Sequence, residues 1–390
     1  MKIVFFAHPS FLGSQSMPRF VGMLADGMKS RGYEVEVWRP EAMFSNFPLK
    51  RIKKWLGYVD QYLIFPQAVK RRLHKEKEDV LYVITDHALG PYVPLIADKP
   101  HVIHCHDFLA QRSALGEIPE NITSASGQKY QEYIRKGYLQ GRNFISVSEK
   151  TRDDLAEFFD GAVHRSEMVY NGLNALIQPV PPAESRLSLG KRLNMDLTKG
   201  YILHVGGNQW YKNRQGVIAI YDAWRTKYGQ MLPLLLIGQE PNTDLTRKYD
   251  SSAYKDDIHF LRHIDDDGVR IAYAGASVFL FPSLAEGFGW PIAEAMASGT
   301  VVVTTGAAPM LEVAGDAAFL IRRKPSVEQD GPEWAAGAAD VLNTAIMLDP
   351  ETREKWVNKG LDNVKRFNLD NALNDIERIY ASVLINEQIS

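Results

Sequence analysis

Cysteine is nearly absent: Cys105 is the single one in 390 residues. That excludes an internal disulfide and fits a reducing compartment. Long apolar runs are missing as well, and none approaches the roughly 20 residues a bilayer-spanning helix needs. The opening Met1-Lys-Ile-Val-Phe-Phe-Ala-His-Pro reads as a strand rather than as the core of a signal peptide, so the expected location is the cytoplasm. Neither sign of charge dominates: 45 Lys+Arg face 47 Asp+Glu, a net charge of −2, which argues against nucleic acid as a partner. There is no solenoid repeat and no low-complexity tract. What is present is an ordinary soluble composition, 45% hydrophobic and 24% charged, on a chain long enough for two cores. The charge is uneven, +3 over residues 1–172 (23 Lys+Arg, 20 Asp+Glu) and −5 over the remainder (22 and 27).

One pattern occurs twice. Lys2 to Ala7 reads as a buried strand, residues 8–18 as a loop containing Gly13, Arg19 to Arg31 as an amphipathic helix stopped by Gly32, and Glu34 to Trp38 as the next strand. Tyr201-Ile-Leu-His-Val then leads through Gly206-Gly207 to Lys212-Asn213-Arg214 and a helix. Strand, glycine turn, helix, strand is how a Rossmann-like domain begins. Residues 176–199, with Pro179, Pro181 and Pro182, read as the linker and the entry to the second domain. The expected division is an N-terminal domain over 1–175, a linker over 176–199, a C-terminal domain over 200–369 and a last helix within 370–390. That helix shows apolar residues at Ala372, Leu373, Ile376, Ile379, Tyr380, Val383 and Leu384, a helical period. Ser148 is placed to cap a helix that begins at Glu149, and Asn171-Gly172 signals a turn.

The most informative stretch is Val278-Phe-Leu-Phe-Pro-Ser-Leu-Ala-Glu286-Gly287-Phe288-Gly289-Trp-Pro291-Ile-Ala-Glu294-Ala-Met-Ala-Ser-Gly299. A short apolar strand stops at Pro282, a glycine-rich loop follows, and Pro291 opens a helix that Gly299 ends. Free N–H groups at such a turn suit a phosphate. Two carboxylates bracket it, Glu286 in the loop and Glu294 one turn into the helix. Carboxylates beside a phosphate site make chemical sense as acceptors for the hydroxyls of a ribose and a hexose. The plainer alternative is that Glu286 caps the helix and Glu294 is a solvated acid favoured by the helix dipole.

Pro-Ser-Leu-x-Glu-Gly-Phe-Gly-x-Pro-x-x-Glu-Ala-Met-Ala-x-Gly, with Glu286 and Glu294 separated by seven residues, resembles the signature of retaining glycosyltransferases of family 4. The likeness continues through residues 301–305 and 311–320. It implies the GT-B fold: two Rossmann-like domains facing across a cleft, with a C-terminal helix crossing back to the first. It further implies transfer of a hexosyl group from a nucleotide-diphosphate sugar to a glycan or lipid-linked acceptor, without a metal or other cofactor. On that resemblance Glu286, His106 and Lys212 are the catalytic residues. Gly13, Gly206, Gly207, Lys212, Arg214, His263, Ile264, Glu286, Gly287, Phe288, Gly289 and Glu294 line the donor. In the family an Arg follows the first glycine of the Gly206 loop. Here Gly207 stands there, and Arg214 or the Gly206–Gly207 amides are left to supply the second positive group. The rival functions are a GT-B epimerase or hydrolase and a non-catalytic nucleotide-binding partner of another transferase.

Two further clusters admit a plain and a sharp reading. His101, His104, His106 and Asp107 could suggest a metal, but in a strand His104 and His106 share one face while Asp107 faces the other. Asp265 and Asp267 form an Asp-x-Asp, better explained as acids at a helix start. Residues 50–77 hold nine Lys and Arg interleaved with Trp55, Leu56, Tyr58, Tyr62, Leu63, Ile64 and Phe65. They read either as a solvated amphipathic helix pair or as a peripheral contact with an anionic membrane.

Overall fold

A computed structural model of the chain describes residues 2–12, 16–46, 52–76, 79–159, 163–174 and 176–389. Gly13 lies outside the described residues, and so do residues 50, 51 and 77 of the basic stretch. The chain forms two compact units, one of Met1–Ile118, Ile122–Tyr170 and Asp370–Ser390, the other of Pro119–Asn121 and Asn171–Leu369.

The first unit is built on β1 (Lys2–Phe6), β2 (Glu34–Trp38), β3 (Val80–Ile84), β4 (His101–Cys105), β5 (Asn143–Ser146) and β6 (Arg165–Met168), in the order β2-β1-β3-β4-β5-β6. Every pairing is parallel. A parallel sheet carries helices on both faces, so its central strands are apolar without alternation. β3 and β4 are buried along their whole length, while the edge strand β2 is buried only at Trp38. The chain leaves β1 toward β2 and returns on the other side as β3, which puts the topological switch between β1 and β3.

The second unit has β7 (Ile202–Val205), β8 (Leu234–Ile237), β9 (Ile258–Leu261), β10 (Val278–Phe281), β11 (Val302–Thr305) and β12 (Ala318–Ile321), in the order β12-β11-β10-β7-β8-β9. It too is parallel throughout. Its switch falls between β7 and β10, and in open α/β sheets ligands bind beyond the strand ends at that position.

The last helix, Leu369–Ile389, returns to the first unit, and all seven residues of its apolar stripe are buried. Tyr380 OH lies 2.7 Å from His104 Nε2, and Arg31 donates to Asn374 Oδ1 at 2.8 Å. Ser148 caps the helix Glu149–Phe158 by accepting from Thr151 N at 3.1 Å. The linker reading of 176–199 needs correction. Pro182–Leu193 is a helix inside the second unit, packed on the helix Asp266–Gly275. Pro182 and Glu184 lie in its first turn, Lys191 and Arg192 in its last, and Asn194 ends it at φ 54°. These are helix start and stop signals that the proline cluster obscures. The chain passes between the units after Tyr170, where Leu173 N–H donates to Phe367 O at 2.7 Å.

Two glycines set the closest crossing in the first unit. A Cβ on Gly137 would lie 2.2 Å from Gly90 O, and one on Gly90 would lie 2.3 Å from Ile134 O. The backbone of the helix Ala125–Tyr138 therefore rests directly on residues 87–95. Gly137→Ala should destabilise the first unit by about 3 kcal/mol through overpacking. Gly22→Ala, in the helix Ser16–Ser30 with nothing within 4 Å of the new Cβ, should be neutral or stabilise by up to about 1 kcal/mol. Urea unfolding of both variants checks the opposite signs.

Candidate functional site

The loops leaving β7 and β10 meet over the switch of the second sheet. Lys212 Nζ lies 2.8 and 2.9 Å from the two carboxylate oxygens of Glu286, 74 residues away in sequence. Both side chains are largely buried, 14% and 8% exposed. The ammonium also stands over the Phe281 ring, 5.0 Å from its centroid. The two loops are stitched together at the backbone. Leu284 N–H donates to Tyr211 O at 2.7 Å, and Asn213 Nδ2 donates to Pro282 O at 2.9 Å. Ser283 Oγ lies 2.7 Å from Tyr211 O and 2.6 Å from Glu286 Oε1. Glu286 is thus the counter-charge of Lys212 and not a helix cap.

Gly289 begins the helix Trp290–Ala297 with φ 108° and no side-chain cap. That backbone conformation is open to glycine and costly for any other residue. Phe288 beside it is buried, its ring edge-on to Trp290 and Phe367. Glu294 accepts from Tyr273 OH at 3.0 Å. Tyr273 itself is pushed well above the ordinary phenol range by burial and by the adjacent Glu294 carboxylate. Gly287 completes the turn between the two acids.

On the other side of β7 the strand ends are close-packed by glycine: a Cβ on Gly238 would lie 2.0 Å from Gly206 O. Gly206 and Gly207 form the turn itself. Arg214 is buried at the first position of the helix Arg214–Tyr228. Its Nη1 donates to Asn208 Oδ1 at 2.6 Å and to Gln239 O at 2.9 Å. Its Nε and Nη2 have no hydrogen-bond partner, and neither does buried His204 Nε2. Burial pushes Arg214 down to about 10 and His204 down to about 3. His204 is therefore a neutral ring, with Nδ1–H donating to Leu280 O at 3.0 Å.

Past β9, His263 is exposed and takes a left-handed conformation, φ 55°. It turns the chain so that Ile264 leads into the helix Asp266–Gly275. The Asp-x-Asp is used locally. Asp265 caps that helix by accepting from Gly268 N at 2.7 Å, and Asp267 pairs with Arg192 and Arg270. Among the described residues no group of three or more His, Cys, Asp or Glu is placed to hold a metal ion. A hollow of about 500 Å³ lies apart from Lys212 and Glu286, against the edge strand β9 and bounded by Met195, Tyr249, Phe260 and Arg262.

In the first unit, His106 follows β4 and donates from Nε2 to Thr85 O at 2.9 Å, its pKa lowered by burial. Its ring meets Phe20 edge-on at 4.4 Å, and His104 meets the same ring at 5.3 Å, as strand alternation requires. His101 is taken by Lys99 O and Arg142 N. A pair not singled out from sequence lies at the β1/β3 switch, where His8 Nε2 is 2.8 Å from Asp86 Oδ2. Burial raises the Asp86 carboxyl, but hydrogen bonds from His8 and His87 outweigh it and hold it well below the usual carboxylate range. Its signal was available: His8 and Asp86 each stand two residues beyond a buried strand. Ser283, three residues before Glu286, was legible in the same way.

Two family models match the chain. The first, Glycosyltransferase Family 4, covers residues 17–175, and the second, Glycosyl transferases group 1, covers residues 199–343. An O-antigen chain mannosyltransferase B of Escherichia coli is 28% identical over 229 residues, 58% of this chain. The chain thus spans little more than half, 57%, of that relative's length. A phosphatidyl-myo-inositol mannosyltransferase of Mycobacterium leprae is 29% identical over 92% of this chain and 91% of its own. The solved structure of HepE from Anabaena, in complex with UDP and glucose, superposes with a TM-score of 0.70 at 16% identity, covering 98% of this chain and 100% of that one.

Two outcomes follow from the burial. Lys212→Met leaves the Glu286 carboxylate without its cation and should cost about 3 kcal/mol, most of it recovered in the double variant Lys212→Met/Glu286→Gln. Chemical denaturation of the three variants measures the coupling. His104 and His204 are each pushed down to about 3 by burial, against about 6.5 in an unfolded chain. A depressed pKa means the unfolded state binds the proton first, so this stability is whole above about 6.5 and is lost as pH falls toward 3, at about 1.4 kcal/mol per pH unit for each ring. His204→Asn should flatten that slope in the second unit and leave the first unchanged, read from denaturation midpoints between pH 5 and 7.

Proposed function

The chain belongs to the group 1, family 4 glycosyltransferases and has their GT-B fold; from that premise we propose that it transfers a hexosyl group, with retention and without a metal, from a nucleotide-diphosphate sugar to a glycan or lipid-linked acceptor. The observation that carries the reading is the Lys212–Glu286 pair at the β7/β10 switch, one turn before an uncapped helix start. The mannosyltransferases of Escherichia coli and Mycobacterium leprae favour mannose as the sugar and a surface polysaccharide or phosphoinositide-type glycolipid as the acceptor. The reaction is assigned to the cytoplasm.

In this reading the second unit binds the donor. Two donors of the Lys212 ammonium are directed at Glu286, and an ammonium has three. The remaining one is assigned to the diphosphate, where negative charge grows as the bond from the anomeric carbon to the phosphate oxygen breaks. Glu286 accepts from hexose hydroxyls and Glu294 from the ribose hydroxyls. The Phe288 and Gly289 amides, at the positive end of the helix, face the sugar or the phosphate. The Gly206–Gly207 turn lets the backbone approach the diphosphate, and the backbone at His263 and Ile264 pairs with the base. Arg214, whose two unpartnered nitrogens are buried, supplies the second positive group as an interior charge rather than as a direct ligand. His106, its pKa lowered by burial, remains the first unit's candidate on the family resemblance. The departing phosphate takes the acceptor proton on the same face, which preserves the anomeric configuration.

A second reading, nucleotide binding without turnover, is favoured by one feature, Gly207 at a position where the family has a cation. Titration of the protein with UDP and with GDP in excess EDTA, followed by turnover assays, tests both. Glu294→Ala should weaken nucleotide affinity about tenfold or more. Glu286→Ala should leave that affinity near wild type and lower turnover by about two to three orders of magnitude. Equal loss of nucleotide affinity in both variants sinks the division of roles. Tight nucleotide binding with no transfer to any acceptor supports the second reading.

A further inference from the structure

The first sheet has an open position of its own. Its switch lies between β1 and β3, and ligands of open α/β sheets bind beyond the strand ends at such a place. Thr85 already joins the two strands at that edge. It gives its N–H at 3.2 Å and its Oγ1 at 2.6 Å to Phe6 O. His8 and Asp86 stand just beyond, with His8 Nε2 2.8 Å from Asp86 Oδ2, so their bond is not needed to hold the strands together. The carboxylate is fixed from behind. Its Oδ1 accepts from Ala88 N at 3.0 Å, capping the turn of residues 87–95. The neighbouring His87 ring is packed against Phe108, with centroids 4.3 Å apart. The carbonyl of Thr85, one residue before Asp86, accepts from His106 Nε2 at 2.9 Å.

An ionised carboxylate only accepts, so Nε2 of His8 carries a proton and the neutral ring keeps its lone pair on Nδ1. Among the described residues that Nδ1 has no hydrogen-bond partner. The His8 side chain is 19% exposed and Asp86 11%, so the ring can be reached while the group that orients it is covered. Asp107 lies at the same edge, its carboxyl raised by burial and further by the Asp86 carboxylate. Two acids there disfavour a phosphate and leave a neutral O–H as the donor that fits an imidazole lone pair. From the switch position, the locked carboxylate and the unpartnered ring nitrogen together, we propose that His8, oriented by Asp86, receives through Nδ1 a hydroxyl of a neutral sugar or cyclitol ring of the acceptor. His8 touches that ring, and Asp86 is a positioning residue that acts through His8. That the ring belongs to the acceptor rests on the transferase reading; the hydroxyl site itself does not.

The full-length protein with isotope-labelled histidine rings is titrated by NMR with methyl α-mannopyranoside and, separately, with myo-inositol. His8 is assigned by the signals missing in His8→Asn. The expected result is His8 in the Nε2–H tautomer, with its Nδ1 resonance shifted by one of the two probes. His8→Phe should lower affinity for that probe by about tenfold, with thermal unfolding and UDP or GDP affinity unchanged. Asp86→Asn should mix the two tautomers and weaken the probe while His8 is still present, which a merely structural pair would not do. A His8 signal that neither probe moves overturns the proposal, as does an Nδ1–H tautomer or equal probe affinity in His8→Phe and wild type. Nucleotide binding and sugar transfer without a probe response at His8 defeat this inference alone. A probe response at His8 without nucleotide binding or transfer defeats the transferase reading and leaves the hydroxyl site standing.

Discussion

The ion pair between Lys212 and Glu286 depends on strand order more than on anything local. In a parallel sheet every strand ends on the same edge. Only at the switch do two adjacent strands send their chains away in opposite directions, leaving the space above them open. β7 and β10 are that pair, and the two residues meet there although each belongs to a different crossover. A buried pair of this kind adds little net stability, because removing both charges from water costs about as much as their attraction returns. Its retention at the one open position of the sheet is what an electrostatic site for a charged ligand would require.

Beside it the second unit leaves buried polar atoms unanswered. Arg214 has two nitrogens without a partner and His204 one, and such atoms occur in the first unit as well, at His87, Gln111 and Tyr138 among others. Buried polar groups without partners cost stability and are few in folded proteins. Arg214 is the more telling, because a guanidinium cannot shed its proton to lower that cost. Its buried charge is held on Asn208, which follows the Gly206–Gly207 turn, so any field it lends that turn acts through the interior and not by contact.

Most of the fold was legible because parallel strands buried on both faces are written as short apolar runs, and because the last helix keeps a clean period from Ala372 to Leu384. The site was less so. Nothing local connects Lys212 with Glu286 across 74 residues, and family resemblance alone put them together. Residues 182–193 were misread since proline marks both linkers and first turns, and the cue that separates the two, Asn194 in a left-handed conformation, is a backbone angle. The His8–Asp86 pair was missed for a related reason: the order of strands brings β1 and β3 together, and order is not carried by any single segment. Glu286, a candidate helix cap on spacing alone, turned out to be spent on Lys212 because the loop folds back on Tyr211.

The uneven charge of the chain has a local origin. Removing the six cations and one acid of residues 52–75 turns the +3 of residues 1–172 into −2. The excess is therefore not spread over the first unit as a general attraction for anionic ligands. It is gathered on one helical stretch whose acid, Asp60, is turned inward to hold a loop through the N–H groups of Phe44 and Ser45. Had Asp60 faced water, it would have sat among Lys53, Lys54 and the following basic turn and offset them. Buried, it serves the fold, and the cations are left to whatever lies against that side of the unit.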